Sequence, residues 1–156
     1  MLTYQVIGLD PAPFLPLYGL DDAQLQTRGV RRVRVDRRHA FPDRVELRDG
    51  EPGETMLLVN HVHLEVPTAY RSSHAIFVRE GAERAVQVEN RLPELLQRRP
   101  LSLRAFDAEG WMVDAALTAP GDADAALERL LADPAVSYVH AHYAVRGCYA
   151  ARIERS

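Results

Sequence analysis

Between residues 55 and 66 the chain alternates two kinds of side chain, as a β-strand with a side-chain period of two does. Val59, His61, His63 and Glu65 fall on one face, and Leu58, Val62, Leu64 and Val66 on the other. The face with these four apolar residues is the expected core face. Similar patterning predicts strands over 2–9, 30–36, 44–48, 75–79, 135–143 and 148–154, with a hairpin of 101–107 and 111–117 across Ala108-Glu109-Gly110. Ala123, Ala126, Leu127, Leu130 and Leu131 recur at helical spacing, so 122–132 reads as a helix that Pro134 stops. Shorter helices are expected at 21–25 and 93–99, the second with Pro93 in its first turn. About eight strands and two or three helices that do not alternate regularly predict an α+β fold with a largely antiparallel sheet. No Gly/Ser linker divides the 156 residues, so a single domain is expected.

Composition narrows the chemistry. Hydrophobic residues make up 47% and charged residues 26%, the balance of a globular chain rather than a disordered one. No apolar stretch approaches the ~18–20 residues of a membrane span, and the start lacks the basic and apolar regions of a secretory signal. A single cysteine, Cys148, permits no internal disulfide; a cytoplasmic location is expected. All 19 basic side chains are arginine. Without lysine there is no Schiff base, hence no pyridoxal phosphate chemistry, and no P-loop lysine. Without Gly-x-Gly the NAD-binding fingerprint is missing. A net charge of −3 argues against general nucleic-acid binding. Arg28, Arg31, Arg32, Arg34, Arg37 and Arg38 do crowd one segment, but Val30, Val33 and Val35 interleave with them. That reads as the solvated face of a strand, or else as a phosphate- or partner-binding patch. Symmetric dimers are common enough to make a homodimer the default expectation.

Candidate chemistry gathers on histidine. Five of the six fall in two patches: His61-Val62-His63 with His74, and His140-Ala141-His142. In a strand, residues i and i+2 point the same way about 6–7 Å apart. Each triplet can therefore share a divalent metal such as zinc, iron or manganese, with His61, His63 and His140 as candidate ligands and Glu65 on the same face. The alternative is a set of surface histidines that bind nothing. The segment 68–74 reads as a loop whose last five residues carry a phenol, a guanidinium, two hydroxyls and an imidazole. Arg71, Ser72 and Ser73 are candidates to hold an anionic small molecule, and Tyr70, His74 and His142 to move a proton as catalytic groups. A loop tied down by its own hydrogen bonds is the plainer reading. Tyr138, His140 and His142 share a face. Cys148 joins them if the closing hairpin loop is odd, and lies opposite Tyr143 if it is even; a simply buried thiol is the alternative to a reactive one.

Several strings carry a family resemblance: Arg44-Val45-Glu46-Leu47-Arg48-Asp49, Pro52-Gly53-Glu54, Tyr70 through Glu80, Tyr138 through His142, and Gly147 through Arg152. From about residue 43 onward the chain resembles the bacterial domain-of-unknown-function family 1203. The resemblance implies no catalytic residue. Asp43 stands where the family is associated with a cysteine, so a two-thiol role with Cys148 is not open to this chain. Two functional expectations result: a hydrolase of phosphoesters or carboxylate esters using histidine or metal chemistry, or a non-catalytic module that binds a ligand or a protein.

Overall fold

The strand from residue 138 onward shows how the molecule is layered. Tyr138, His140 and His142 alternate with Val139, Ala141 and Tyr143, and all six are buried. A strand buried on both faces needs a layer on each side. In the computed structural model, which describes residues 1–156, one layer is helical and the other is a second sheet.

The elements in chain order are β1 (Tyr4–Ile7), α1 (Asp22–Gln26), β2 (Arg31–Arg34), β3 (Thr55–Leu64), β4 (Ser72–Arg79), β5 (Gln87–Glu89), α2 (Glu94–Gln97), β6 (Leu101–Phe106), β7 (Met112–Thr118), α3 (Ala123–Ala132), β8 (Tyr138–Tyr143) and β9 (Tyr149–Arg155). A six-stranded sheet runs in the order β5-β1-β9-β8-β6-β7, and a three-stranded sheet in the order β2-β3-β4. Every ladder is antiparallel. The α+β, largely antiparallel single domain read from the sequence is the observed one.

The apolar face of the large sheet packs on α3. Leu127, Leu130 and Leu131 of the helix meet Leu101, Leu103, Ala105, Val139, Ala141 and Ile153. Each fully buried leucine stabilises the fold by about 1.5–3 kcal/mol relative to exposure. A capping box starts α1: Asp21 accepts from the Gln24 amide, and the Gln24 side chain accepts from the Asp21 amide.

The opposite face of the large sheet meets the small sheet. Tyr149 packs with Val45, Leu57, Val59, Ile76 and Val78, and Phe106 and Tyr138 pack with Leu64. This corrects the expected orientation of β3. Leu57 and Val59 are buried, whereas Leu58 and Val62 are only half-buried, so the odd face, which carries His61 and His63, looks inward. Leu64 is buried on account of a bulge. Val62 pairs with Ser73 and Leu64 with Ser72, leaving His63 as the extra residue that shifts the register.

Three further expectations change. Residues 44–48 form no strand. The Asp43 carboxylate accepts from the Glu46 amide at 2.6 Å, Asp43 N–H donates to the Arg48 carbonyl, and Leu47 has φ +51°. These bonds turn the backbone instead of extending it. β4 begins at Ser72, because Ser72, Ser73 and His74 pair with β3; the expected loop ends at Arg71. The short edge strand β5 had no pattern long enough to reveal it.

Candidate metal centre

Each histidine is placed by its strand. β3 and β8 lie in different sheets, and the sheets stack face to face, so two same-face pairs meet across the interlayer space. The ring centroids of His63 and His140 are 5.8 Å apart, and those of His63 and His142 are 5.0 Å apart. β4 adds His74, whose ring stacks on His63 at 4.8 Å. β9 adds Tyr149, whose ring stacks on that of His63 at 5.0 Å with an interplanar angle of 9°. A bulge in β9 opposes Tyr149 to His142 and so carries the tyrosine onto the histidine face.

One ring nitrogen from each of His63, His140 and His142 lies within 4.8 Å of the other two. The same three residues carry buried nitrogens with no hydrogen-bond partner: Nδ1 of His63, Nδ1 of His140 and Nε2 of His142. Buried polar atoms in folded proteins are almost always satisfied, so three orphans in one cluster call for a shared explanation. His142 Nδ1 lies 2.9 Å from the Gly147 carbonyl. A carbonyl only accepts, so Nδ1 carries the proton and Nε2 presents a lone pair to the cluster. Gly147 adopts φ +78° in the hairpin turn that sets this carbonyl. His63 Nε2 lies 2.8 Å from His74 Nδ1 and 3.2 Å from Ser72 Oγ. With that nitrogen protonated, His63 Nδ1 is free as a lone pair. A histidine fixed through its far nitrogen is the usual outer support of a metal ligand.

The electrostatics keep these imidazoles neutral. Burial pushes His140 down to about 2, His142 to about 3 and His63 to about 4, with neighbouring histidines and Arg104 adding to the effect. His74 and His61 are also lowered by burial. Neutral imidazole is the form that binds a metal. Arg104 reaches the same face through β6, where it pairs in register with His140. It is half-buried, and burial lowers it too.

Of the residues singled out from sequence, His63, His74, His140 and His142 come together. His61 sits at the margin, edge-on to Phe14 and 6.4 Å from Tyr149. Ser72 supports His63, while Ser73 faces outward, 3.4 Å from Asn60. Arg71 is held by both oxygens of exposed Glu65, at 2.6 and 2.9 Å. Tyr70 packs edge-on against Phe106 and Trp111. His39 lies outside the cluster, 3.7 Å from Asp49. In the arginine-rich segment, Arg32 is bound by Glu80 and Asp22. Cys148 follows the even-loop alternative: its carbonyl accepts from the Tyr143 amide, and the half-buried thiol lies away from the histidines.

Sequence reasoning missed Arg104 and Tyr149. Arg104 alternates with Leu103 and Ala105, which marks it as opposite the apolar core, but nothing local says that this second face is also covered. Tyr149 reaches its face only through the bulge.

A covered, two-sheet α+β domain with an interior histidine cluster is thus the class of protein defined by fold and site. The family described as Protein of unknown function (DUF1203) matches residues 40–155, and the chain belongs to it. No curated protein and no solved structure matches the chain. No helix is long and apolar enough to cross a membrane.

Proposed function

We propose that this protein is a metal-dependent hydrolase in which His63, His140 and His142 hold one divalent transition-metal ion. The observation that carries the reading is that the three histidines with mutually close ring nitrogens are the same three that carry orphaned buried ones. Three neutral imidazoles suit zinc, iron, nickel or copper better than magnesium or calcium. A three-histidine set leaves a coordination position for water, and such an ion lowers the pKa of that water to about 7. The chain's own residues divide the remaining work. Gly147 and the His74–Ser72 pair orient the ligands, and Arg104 holds an anionic substrate group such as a phosphoester or carboxylate ester. One free cysteine and no disulfide support a reducing, cytoplasmic setting.

The near-complete burial of His140 and His142 favours a second reading, a metal that ties the two sheets together without turnover. Two measurements decide. Protein prepared without a polyhistidine tag should contain stoichiometric metal by elemental analysis, and His63→Ala with His142→Ala should abolish it. Metal-free protein whose melting is unaltered by chelator sinks both metal readings. Metal-loaded protein that cleaves neither p-nitrophenyl acetate nor p-nitrophenyl phosphate leaves the structural reading.

A further inference from the structure

Beside the histidine cluster lies a separate cavity of about 560 Å³, bordered by four arginines (Arg37, Arg44, Arg99 and Arg146) and by no aspartate or glutamate. Arg44 is the unusual member, because its side chain is 2% exposed. Its Nε donates to the Tyr149 carbonyl at 2.9 Å, one Nη to the Pro42 carbonyl at 2.6 Å, and the other to Cys148 Sγ at 3.2 Å. That engages three of a guanidinium's five N–H donors, and none of the acceptors is a carboxylate. Buried cations are nearly always paired with an anion, because an unpaired charge loses its hydration without replacement. The neighbouring carboxylate does not serve: Asp43 accepts from the backbone amides of Glu46 and Arg79 instead.

The other walls point to the same kind of occupant. The Tyr143 ring lies 5.1 Å from the Arg44 guanidinium and 5.2 Å from that of Arg99. Its hydroxyl is buried and has no partner. Arg99 is paired with Asp49 and Arg37 with Asp36, while Arg146 is exposed and pairs with no carboxylate. Phe41 and Phe77, edge-on at 5.4 Å, supply an apolar wall together with Leu58 and Val145. Guanidinium forks match carboxylate and phosphate oxygens, and a cavity of this size fits a small metabolite.

We infer that this cavity binds a small organic anion, with its carboxylate or phosphate group on Arg44, Arg146 and the Tyr143 hydroxyl, and its apolar body against Phe41 and Phe77. The inference stands apart from the metal reading, since of the clustered histidines only His74 borders the cavity.

Isothermal titration of the full chain with phenylacetate, phenyl phosphate and neutral 2-phenylethanol tests it. At least one of the two anions should bind with a Kd below about 10 mM, and which one identifies the head group. The neutral compound should give no comparable binding. Arg146→Ala, an exposed change, should weaken the anion about tenfold, in line with loss of one charge-assisted contact. Arg44→Gln should weaken it further; Arg146→Ala decides if Arg44→Gln fails to fold. His140→Ala, at a ring that does not line the cavity, should leave the Kd unchanged. Absence of anion binding, equal binding of 2-phenylethanol, an unchanged Kd in Arg146→Ala, or loss of binding in His140→Ala would each overturn the assignment, the last by moving the anion to the histidines.

Discussion

The two faces of β8 are equally buried and differ in kind. On one face Val139, Ala141 and Tyr143 join the core against α3. On the other, His140 and His142 are 2% and 1% exposed and still leave ring nitrogens unbonded. Apart from the Tyr143 hydroxyl at its end, which has no partner, the apolar face needs nothing beyond close packing. The histidine face carries the desolvation cost of ring nitrogens that no internal hydrogen bond offsets. One strand thus separates a layer that explains itself from a layer whose polar atoms await a partner. The cavity around Arg44 is a second instance of the same imbalance, with charge in place of lone pairs.

Four experiments break or sharpen this contrast, in descending order of effect. Chelation should act on the histidine face alone. With free metal about 1,000-fold above its Kd, binding contributes roughly 4 kcal/mol, so Tm should fall on adding chelator and recover on adding zinc. A Tm indifferent to both removes the metal from the account of that face.

Leu103→Ala tests the apolar face. Leu103 is fully buried, so the cavity left behind should cost about 2–5 kcal/mol. Metal content should be untouched, and a loss of metal in this variant would mean that the two faces are not separable.

Acidification should again act on the histidine side. His140 and His142 are pushed below the ordinary 6.5, to about 2 and about 3, mainly by burial. Between the ordinary value and these lowered ones the unfolded chain binds more protons than the folded one. Their stabilising share is therefore complete above about pH 6.5 and is lost as pH falls toward the folded values, at about 1–2 kcal/mol for each by pH 5. Urea unfolding near pH 7 and pH 5 measures it; equal stabilities would contradict the neutral, buried state of these rings.

The smallest effect is expected from Arg71→Ala. Both Arg71 and Glu65 are more than half exposed, and pairs of this kind add little. Tm and metal content should stay unchanged, and a clear drop in metal content would bring the 65–71 connection into the site.

Much of this was readable in the chain. The α3 spacing of Leu127, Leu130 and Leu131, the hairpin around Gly110 and the two His-x-His strands all appear where their periods place them, because 3.6- and 2-residue repeats are local steric facts. The errors share one cause. Apolarity points to Leu58, Val62, Leu64 and Val66 as the core face of β3, yet the small sheet turns its histidines inward and a bulge at His63 alters the parity. Residues 44–48 look like a strand by alternation, but Asp43 captures the Glu46 amide and turns the chain. Ser72 to His74 look like a loop by composition, and cross-strand pairing with β3 extends them.

The sequence by itself determined that His61 and His63, and separately His140 and His142, would point in common directions, and that the permanent positive charges along these 156 residues are carried by arginine rather than lysine. Only the tertiary structure decided that His63 meets His140 and His142, that Arg104 and Tyr149 border them, and that Arg44 is buried without a carboxylate partner. The side-chain period of a strand is set by its own backbone. Which sheet covers which face is set by contacts between residues some 80 positions apart, such as His63 with His142, and no local pattern encodes that pairing.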